Sequence, residues 1–352
     1  MKQLTNSELK NFPEFENHKA VYEFAEPQNG LHGFIAIHRT FLSLAVGGTR
    51  MFPYASAEEA LRDCLRLSSA MSHKCALANV GYGGGKGVII ADPEKEKTPE
   101  LLLAYADKVN ELHGQFYTGE DVGLSADDVK IMLKKSDYFI GKPGLAGDPS
   151  PFAALGVFYA MAEAAKSVFG SDDLRGRTVA IKGVGKVGGE LARLLAKAGA
   201  KLTIADLRQD VADALRAELP GVKIVDPTQI HKEDVEIYAP CAMGNDLTEQ
   251  SATEIRAKII CGGANNQLSS AAVGQKVFDA GILYIPDYIA NAGGLINVVD
   301  ELNAGGYNRE RVFAGIKNSK ATVARIIALS KSKNEPPDKI AGDIAREIFE
   351  KS

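Results

Sequence analysis

Apolar residues between positions 56 and 71 fall at Ala57, Leu61, Cys64, Leu65 and Met71, one face of a helix. Ser56 followed by Glu59 supplies the start of a capping box, and the far end of this helix delivers Met71, Ser72, His73 and Lys74. The apolar runs 34–38 and 87–91 read as strands, so the leading part of the chain mixes strands and helices without strict alternation. From about Arg177 the texture changes. Short β-branched runs at 178–182, 201–206, 222–225, 235–239, 258–261 and 282–285 alternate with helical stretches. That alternation predicts a parallel sheet covered on both faces, because parallel neighbours need crossover connections. The Gly- and Pro-rich stretch from Gly141 to Pro151 is the expected connection between the two parts, and the tail beyond Ala328 is helical and charged.

Composition narrows the classes. A chain of 352 residues is comfortable as two domains, each with its own core, and 45% hydrophobic with 24% charged residues describes a globular protein. The net charge of −4, with both signs interspersed, offers no basic stripe for phosphates, so no nucleic-acid partner is expected. The polar start from Met1 to Phe12 lacks a signal-peptide core and no stretch reads as a bilayer span, so a cytoplasmic protein with no membrane partner is expected. Cys64, Cys75, Cys241 and Cys261 are too scattered for a zinc site; they read as reduced, mostly buried small residues, and no metal is expected.

Gly183-Val184-Gly185-Lys186-Val187-Gly188 follows a predicted strand and opens a predicted helix running to Ala198, the order that a dinucleotide-binding loop requires. Gly183 permits the tight turn, Gly185 the approach of a pyrophosphate, and Gly188 close packing of helix on sheet. Asp206 stands about twenty residues on, where a carboxylate bonds the adenine-ribose hydroxyl and repels a 2′-phosphate, which favours NAD over NADP. Arg208, two residues later, softens that preference, and Lys186 in the loop either strengthens pyrophosphate binding or points to solvent.

The candidate chemistry lies earlier. Lys86 enters an apolar strand through Gly83, Gly84 and Gly85, and Lys74 ends the amphipathic helix. A partly desolvated lysine beside another cation is usable for proton transfer, whereas the same pattern also fits a phosphate-loop mimic or a snorkelling surface lysine. Asp121, in Thr118-Gly119-Glu120-Asp121-Val122-Gly123, is a third candidate, although adjacent acids in a glycine-flanked turn also describe a solvated loop.

Taken together, 47–51 (GGTRM), 71–74 (MSHK), 83–86 (GGGK), 118–123, 148–151 (DPSP), 239–242 (APCA), 263–267 (GANNQ) and 291–294 (NAGG) resemble the glutamate/leucine/phenylalanine/valine dehydrogenase family, in order over nearly the whole chain. Its leucine and phenylalanine branch is the most similar. The resemblance implies an α/β fold of two domains, an α/β substrate-binding and catalytic domain (1–145) and a doubly wound Rossmann NAD-binding domain (146–328), separated by a cleft. The tail 329–352 is expected to pack back on the first. It implies NAD-dependent oxidative deamination of an L-amino acid, with Lys86 as the catalytic lysine and Asp121 as its acid/base partner. Lys74, with Met71 and the backbone near Gly47 and Gly48, would hold the substrate carboxylate. Asn265 would stand near substrate and nicotinamide, and Cys241, Ala242 and Asn291 would join Gly183, Gly185, Lys186, Val187, Gly188 and Asp206 around NAD. Relatives are homo-oligomers, often dimers or octamers.

By similarity the side-chain pocket would be lined by Val46, Gly119, Leu295 and Val298. Glutamate enzymes carry a lysine where this chain has Val46, so an acidic side chain would meet no counter-charge. Gly119, where leucine enzymes tend to have alanine, favours a large apolar or aromatic amino acid, with leucine close behind. Ala153 stands where relatives usually have Thr or Ser against the nicotinamide amide, and His73 where they have tyrosine. Two other classes remain: a catalytically silent nucleotide-binding sensor or scaffold, and another NAD-linked oxidoreductase. Lys74, Lys86 and Asp121 together argue against the first, and the lack of a histidine in a catalytic motif against the second.

Overall fold

The computed structural model describes residues 1–350, in two compact units. The first comprises Met1–Asp148, Val298–Asn308 and the tail from Ala345; the second comprises Pro149–Asn297 and Arg309–Ile344. This departs from the expected 1–145, 146–328 and returning 329–352. The long helix Arg309–Lys333 packs along Ser150–Phe169, and Tyr288 Oη donates to the Asp338 carbonyl at 3.2 Å. Those contacts keep the chain with the second unit until Ile344.

The first unit is built on strands β1 (Lys2–Gln3), β2 (Ala20–Glu26), β3 (Leu31–Ile37), β4 (Ala45–Phe52), β5 (Gly83–Ile90) and β6 (Phe116–Gly119), in spatial order β1-β2-β3-β5-β4-β6. β4 runs parallel to β5 and β6, and the remaining pairs are antiparallel. Its helices are α1 (Asn6–Leu9), α2 (Ala57–Ala78), α3 (Pro99–Asn110) and α4 (Ala126–Met132). Alternation along the central strands builds a core on each face. Phe34, Ala36 and Val88 pack with Leu61, Cys64 and Leu65 of α2, while Ile35, Ile37 and Ile89 pack with Leu101, Leu102, Tyr105 and Val129 of α3 and α4.

Two expectations shift here. α2 does not stop at Met71 but continues through buried Cys75 and Leu77 to Ala78, so Lys74 sits within the helix rather than at its end. Ser56 caps it by accepting from Glu59 N at 3.1 Å, but the Glu59 carboxylate accepts from Ala55 N, not Ser56 N, so the reciprocal half of the box is displaced by one residue.

The second unit carries α5 (Ser150–Phe169), β7 (Thr178–Lys182), α6 (Lys186–Lys197), β8 (Lys201–Ala205), α7 (Gln209–Glu218), β9 (Lys223–Ile224), β10 (Ile237–Pro240), α8 (Ser251–Glu254), β11 (Ile259–Ile260), α9 (Ala271–Asp279), β12 (Leu283–Tyr284) and α10 (Asp287–Ala290). After α11 (Gly293–Val299) come α12 (Arg309–Lys333) and α13 (Pro337–Glu350). All six strands are parallel, in order β9-β8-β7-β10-β11-β12. Counting strands within the unit, that is 3-2-1-4-5-6, the doubly wound Rossmann order, whose switch point lies between β7 and β10. Contrary to expectation, one helix, α5, is long and apolar enough to cross a bilayer by length and composition. Half of it is buried, against α6, α10 and α12, which makes it a core helix of this unit. The four cysteines are free thiols; Cys241 is partly exposed and the others are buried.

Candidate active site

In the first unit the glycines of β4 and β5 let α2 lie directly on the sheet. A Cβ added to Gly84 would fall 2.0 Å from Ser72 N, and one on Gly47 would fall 1.9 Å from the Gly85 carbonyl and 3.3 Å from Met71 Cγ. Ser72 Oγ accepts from Gly84 N at 3.2 Å and fixes the crossing. Met71 is thereby held beside Gly47, and Lys74 follows one turn later on the same helix, partly exposed. Strand register supplies the rest: Gly48 pairs with Gly119, and Val46, fully buried, pairs with Gly84 and Tyr117.

Lys86 is buried on β5, and its Nζ donates to Asp121 Oδ2. Asp121 follows β6 in a turn held to β4, with Met51 N donating to the Val122 carbonyl at 2.9 Å and Gly48 abutting the Asp121 Cβ. Burial pushes the Asp121 carboxyl up, but the Lys86 ammonium and then the Arg50 guanidinium outweigh it and hold the group at about 2. It is a carboxylate at neutral pH. Lys86 thus has an opposite charge against it, with the Arg50 guanidinium 3.5 Å from the same carboxylate oxygen.

Gly119 has a backbone reason to be glycine. A Cβ there would lie 2.7 Å from the Ile140 carbonyl, and Ile140 N is tied to the Thr118 carbonyl at 2.8 Å. Val298 packs near Gly141 in this unit, whereas Leu295, one turn earlier on α11, is buried in the second unit.

In the second unit the glycine loop stands where β7 ends. Gly183 has φ +87°, and a Cβ there would lie 2.7 Å from Ala242, so only glycine suits both the backbone and the neighbour. Gly188 fits against the Gly183 carbonyl and Cys241 Cβ, and Val187 touches Gly263. Gly185 caps α6 with no side-chain acceptor and meets nothing nearer than Arg208 Nη2 at 3.8 Å, so there is room for an anion at the positive end of the helix. Lys186 is exposed at that end. Asp206 Oδ2 accepts from Val184 N at 2.8 Å and Oδ1 from Arg208 N at 3.0 Å, so this carboxylate also braces the loop. Cys241 Sγ accepts from Gly263 N at 3.2 Å, and burial pushes the thiol up to about 12. Asn291 Nδ2 donates to Asn265 Oδ1 at 2.7 Å and to the Gly263 carbonyl at 3.2 Å. The expected cofactor residues thus converge on the switch point, and the cradle, helix terminus and acidic strand end fit a dinucleotide.

Sequence reasoning gave no role to Arg50, Asp63 and Tyr54. Asp63 Oδ2 accepts from Arg50 Nη1 at 2.9 Å and from Tyr54 Oη at 2.7 Å, its Oδ1 from Arg66 Nη2 at 2.6 Å, while Arg50 Nε lies 3.5 Å from Asp121 Oδ2. Arg50 stood within the glycine motif, but its partners come from strand and helix register, which spacing does not reveal.

Comparison with known proteins agrees with this geometry. Residues 18–141 match the Glu/Leu/Phe/Val dehydrogenase dimerisation domain, and residues 149–214 and 204–325 match the Glutamate/Leucine/Phenylalanine/Valine dehydrogenase domain. The chain is 42% identical to a leucine dehydrogenase of Geobacillus stearothermophilus over 97% of its length and 94% of the relative's. It is 44% identical to a phenylalanine dehydrogenase of Lysinibacillus sphaericus, covering 87% and 82% of the two chains. The crystal structure of L-tryptophan dehydrogenase from Nostoc punctiforme superposes with a TM-score of 0.84 at 37% identity, covering 99% of both chains. The chain therefore belongs to the glutamate/leucine/phenylalanine/valine dehydrogenase family, in its leucine and phenylalanine branch: an NAD-dependent oxidoreductase acting on the CH–NH2 group of its donor.

Proposed function

We propose that the protein catalyses reversible oxidative deamination of a large apolar or aromatic L-amino acid to its 2-oxo acid and ammonia, as a cytoplasmic homo-oligomer. The observation that carries the reading is the pairing of buried Lys86 with part-buried Asp121, seated next to the glycines that bring α2 onto the sheet. A buried ammonium held against a carboxylate is a poor device for stability alone, since desolvation offsets much of the attraction. It is well suited to moving protons.

NAD, when bound, supplies the acceptor for the hydride leaving the α-carbon. The chain's own groups do the remainder. Lys74 holds the substrate carboxylate together with backbone at Gly47 and Gly48, and Met71 flanks it. Asp121 takes the proton from the substrate nitrogen, and Lys86, as the neutral amine, takes a proton from the water that adds to the resulting iminium carbon and, as the ammonium, stabilises the oxygen of the carbinolamine. Asp121 then returns its proton to the nitrogen and takes the one on the carbinolamine hydroxyl as the carbonyl forms and ammonia departs. Asn265, whose Oδ1 accepts from Asn291 Nδ2, is assigned to the nicotinamide end of the dinucleotide, and Gly183, Gly185, Lys186, Val187, Gly188, Asp206, Cys241 and Ala242 to holding the rest of it.

Substrate class rests on Val46. It is apolar and fully buried, so a substrate carboxylate beside it would be desolvated with no counter-charge. Leucine, phenylalanine and tryptophan enzymes among the relatives support a large apolar side chain. Gly119 carries less weight, because backbone packing against Ile140 already requires glycine there. The test is NADH formation across L-leucine, L-phenylalanine, L-tryptophan, L-valine and L-glutamate, with NADP as a control. Leucine and the aromatic acids should be turned over fastest and glutamate negligibly. Comparable rates with glutamate would reject the substrate class, and no turnover of any acid would favour a silent nucleotide-binding scaffold.

A further inference from the structure

Asp121 has two cationic neighbours on the same oxygen, and they differ in kind. Lys86 Nζ donates to Oδ2, and Arg50 Nε stands 3.5 Å from that atom, hidden from solvent and without a hydrogen-bond partner of its own. We infer that Arg50 is a positioning residue for the deamination chemistry, holding the Asp121 carboxyl group in place through its proton exchanges while the charge on Lys86 changes. The inference rests on the acid/base roles proposed above for Lys86 and Asp121.

A guanidinium does not give up its proton in a protein, whereas an ammonium that activates water must alternate between charge states. With Lys86 as sole partner, Asp121 would lose its anchor at each such step. Arg50 supplies a permanent one. Asp63 receives Arg50 Nη1, Tyr54 Oη and Arg66 Nη2, and its carboxylate is mostly buried, so it clamps the guanidinium from behind. The clamp joins β4 to α2, the two elements that also carry Gly47, Gly48, Met71 and Lys74. The unpartnered Nε lies 3.5 Å from Asp121 Oδ2, so a small adjustment of the carboxylate toward it makes the bond that this buried donor lacks.

The test compares Arg50→Ala, Arg50→Lys, Asp63→Asn and Asp121→Asn in the full-length enzyme with NAD and the best amino acid of the panel. Arg50→Ala should lower kcat by about a hundredfold, the usual effect of misplacing a catalytic group by an ångström, with KM for amino acid and NAD within about threefold of wild type. Sub-denaturing guanidinium should restore part of the rate in Arg50→Ala and none in Asp121→Asn, and Arg50→Lys should lie between Arg50→Ala and wild type. Unchanged kcat in folded Arg50→Ala, or a loss that guanidinium does not restore, overturns the inference. If Arg50→Ala does not fold, Asp63→Asn carries the test: a fall in kcat at constant KM supports the clamp, and wild-type kcat refutes it. Asp121→Asn separates the two levels. Wild-type turnover there rejects the acid/base reading itself, whereas a dead Asp121→Asn beside a fully active Arg50→Ala rejects only the role of Arg50.

Discussion

Acidification should weaken the first unit through two buried histidines that the chemistry does not use. His18 Nδ1 accepts from Glu16 N at 3.3 Å while Nε2 faces the Leu65 carbonyl at 3.1 Å and Ser68 Oγ at 3.0 Å, an arrangement that suits one neutral tautomer. His38 is buried edge-on to His18 and Phe349, with both ring nitrogens lacking a hydrogen bond. Burial holds His18 at about 4, and burial followed by the charges of His18, Arg39 and His73 holds His38 at about 2, with Glu16 acting weakly the other way. Both values lie below the unfolded histidine range, so the unfolded chain binds more protons and stability is lost as pH falls below about 6.5. At pH 5 an unfolded histidine is favoured by about 1.5 decades, which is about 2 kcal/mol per group and about 4 kcal/mol for the pair. The chain has 11 Tyr and no Trp, so urea unfolding is best followed by far-ultraviolet circular dichroism at a series of pH values. His38→Phe, which keeps an aromatic edge against Phe349, should remove about 2 kcal/mol of the stability lost between about pH 8 and pH 5, the remainder staying with His18 and with His73, which burial also holds below its ordinary value. A variant with the same pH slope as wild type would refute the argument, as would wild-type stability that is flat over this range.

Other outcomes follow from close contacts. Gly119→Ala should destabilise the fold by about 1–3 kcal/mol through its clash with the Ile140 carbonyl, lowering the melting temperature, and the ratio of kcat/KM for leucine over phenylalanine should change little, since the methyl meets backbone. Asp206→Ser should raise KM for NAD about tenfold or more with kcat nearly constant, because Val184 N loses its acceptor and the proposed ribose contact is removed with it. In the same variant the preference for NAD over NADP should fall, with Arg208 left beside the loop.

Much of the second unit was legible because its signals are local. Parallel strands covered on both faces read as short apolar runs, and the glycine loop needs only its strand before and its helix after. The ends of those runs were less legible: β9, β11 and β12 pair over two residues each, since pairing depends on neighbours distant in sequence. In the first unit the site residues were recognisable as motifs, but not their geometry. Lys74 appeared to end a helix because Met71 was the last apolar position of the stripe, whereas Cys75 and Leu77 continue it into the core. Gly119 read as room for substrate, yet its neighbour is the Ile140 carbonyl, 21 positions on. The Arg50–Asp63 clamp and the histidine cluster were invisible for the same reason, being products of strand register and of the tail's return with Phe349.

The account stands on the Lys86–Asp121 pair as the proton-handling centre. Lys86→Ala, assayed for NADH formation with the preferred amino acid and for NAD affinity by calorimetry, tests it most directly. Turnover should fall by at least about a thousandfold with NAD binding nearly unchanged. Turnover within tenfold of wild type would contradict it.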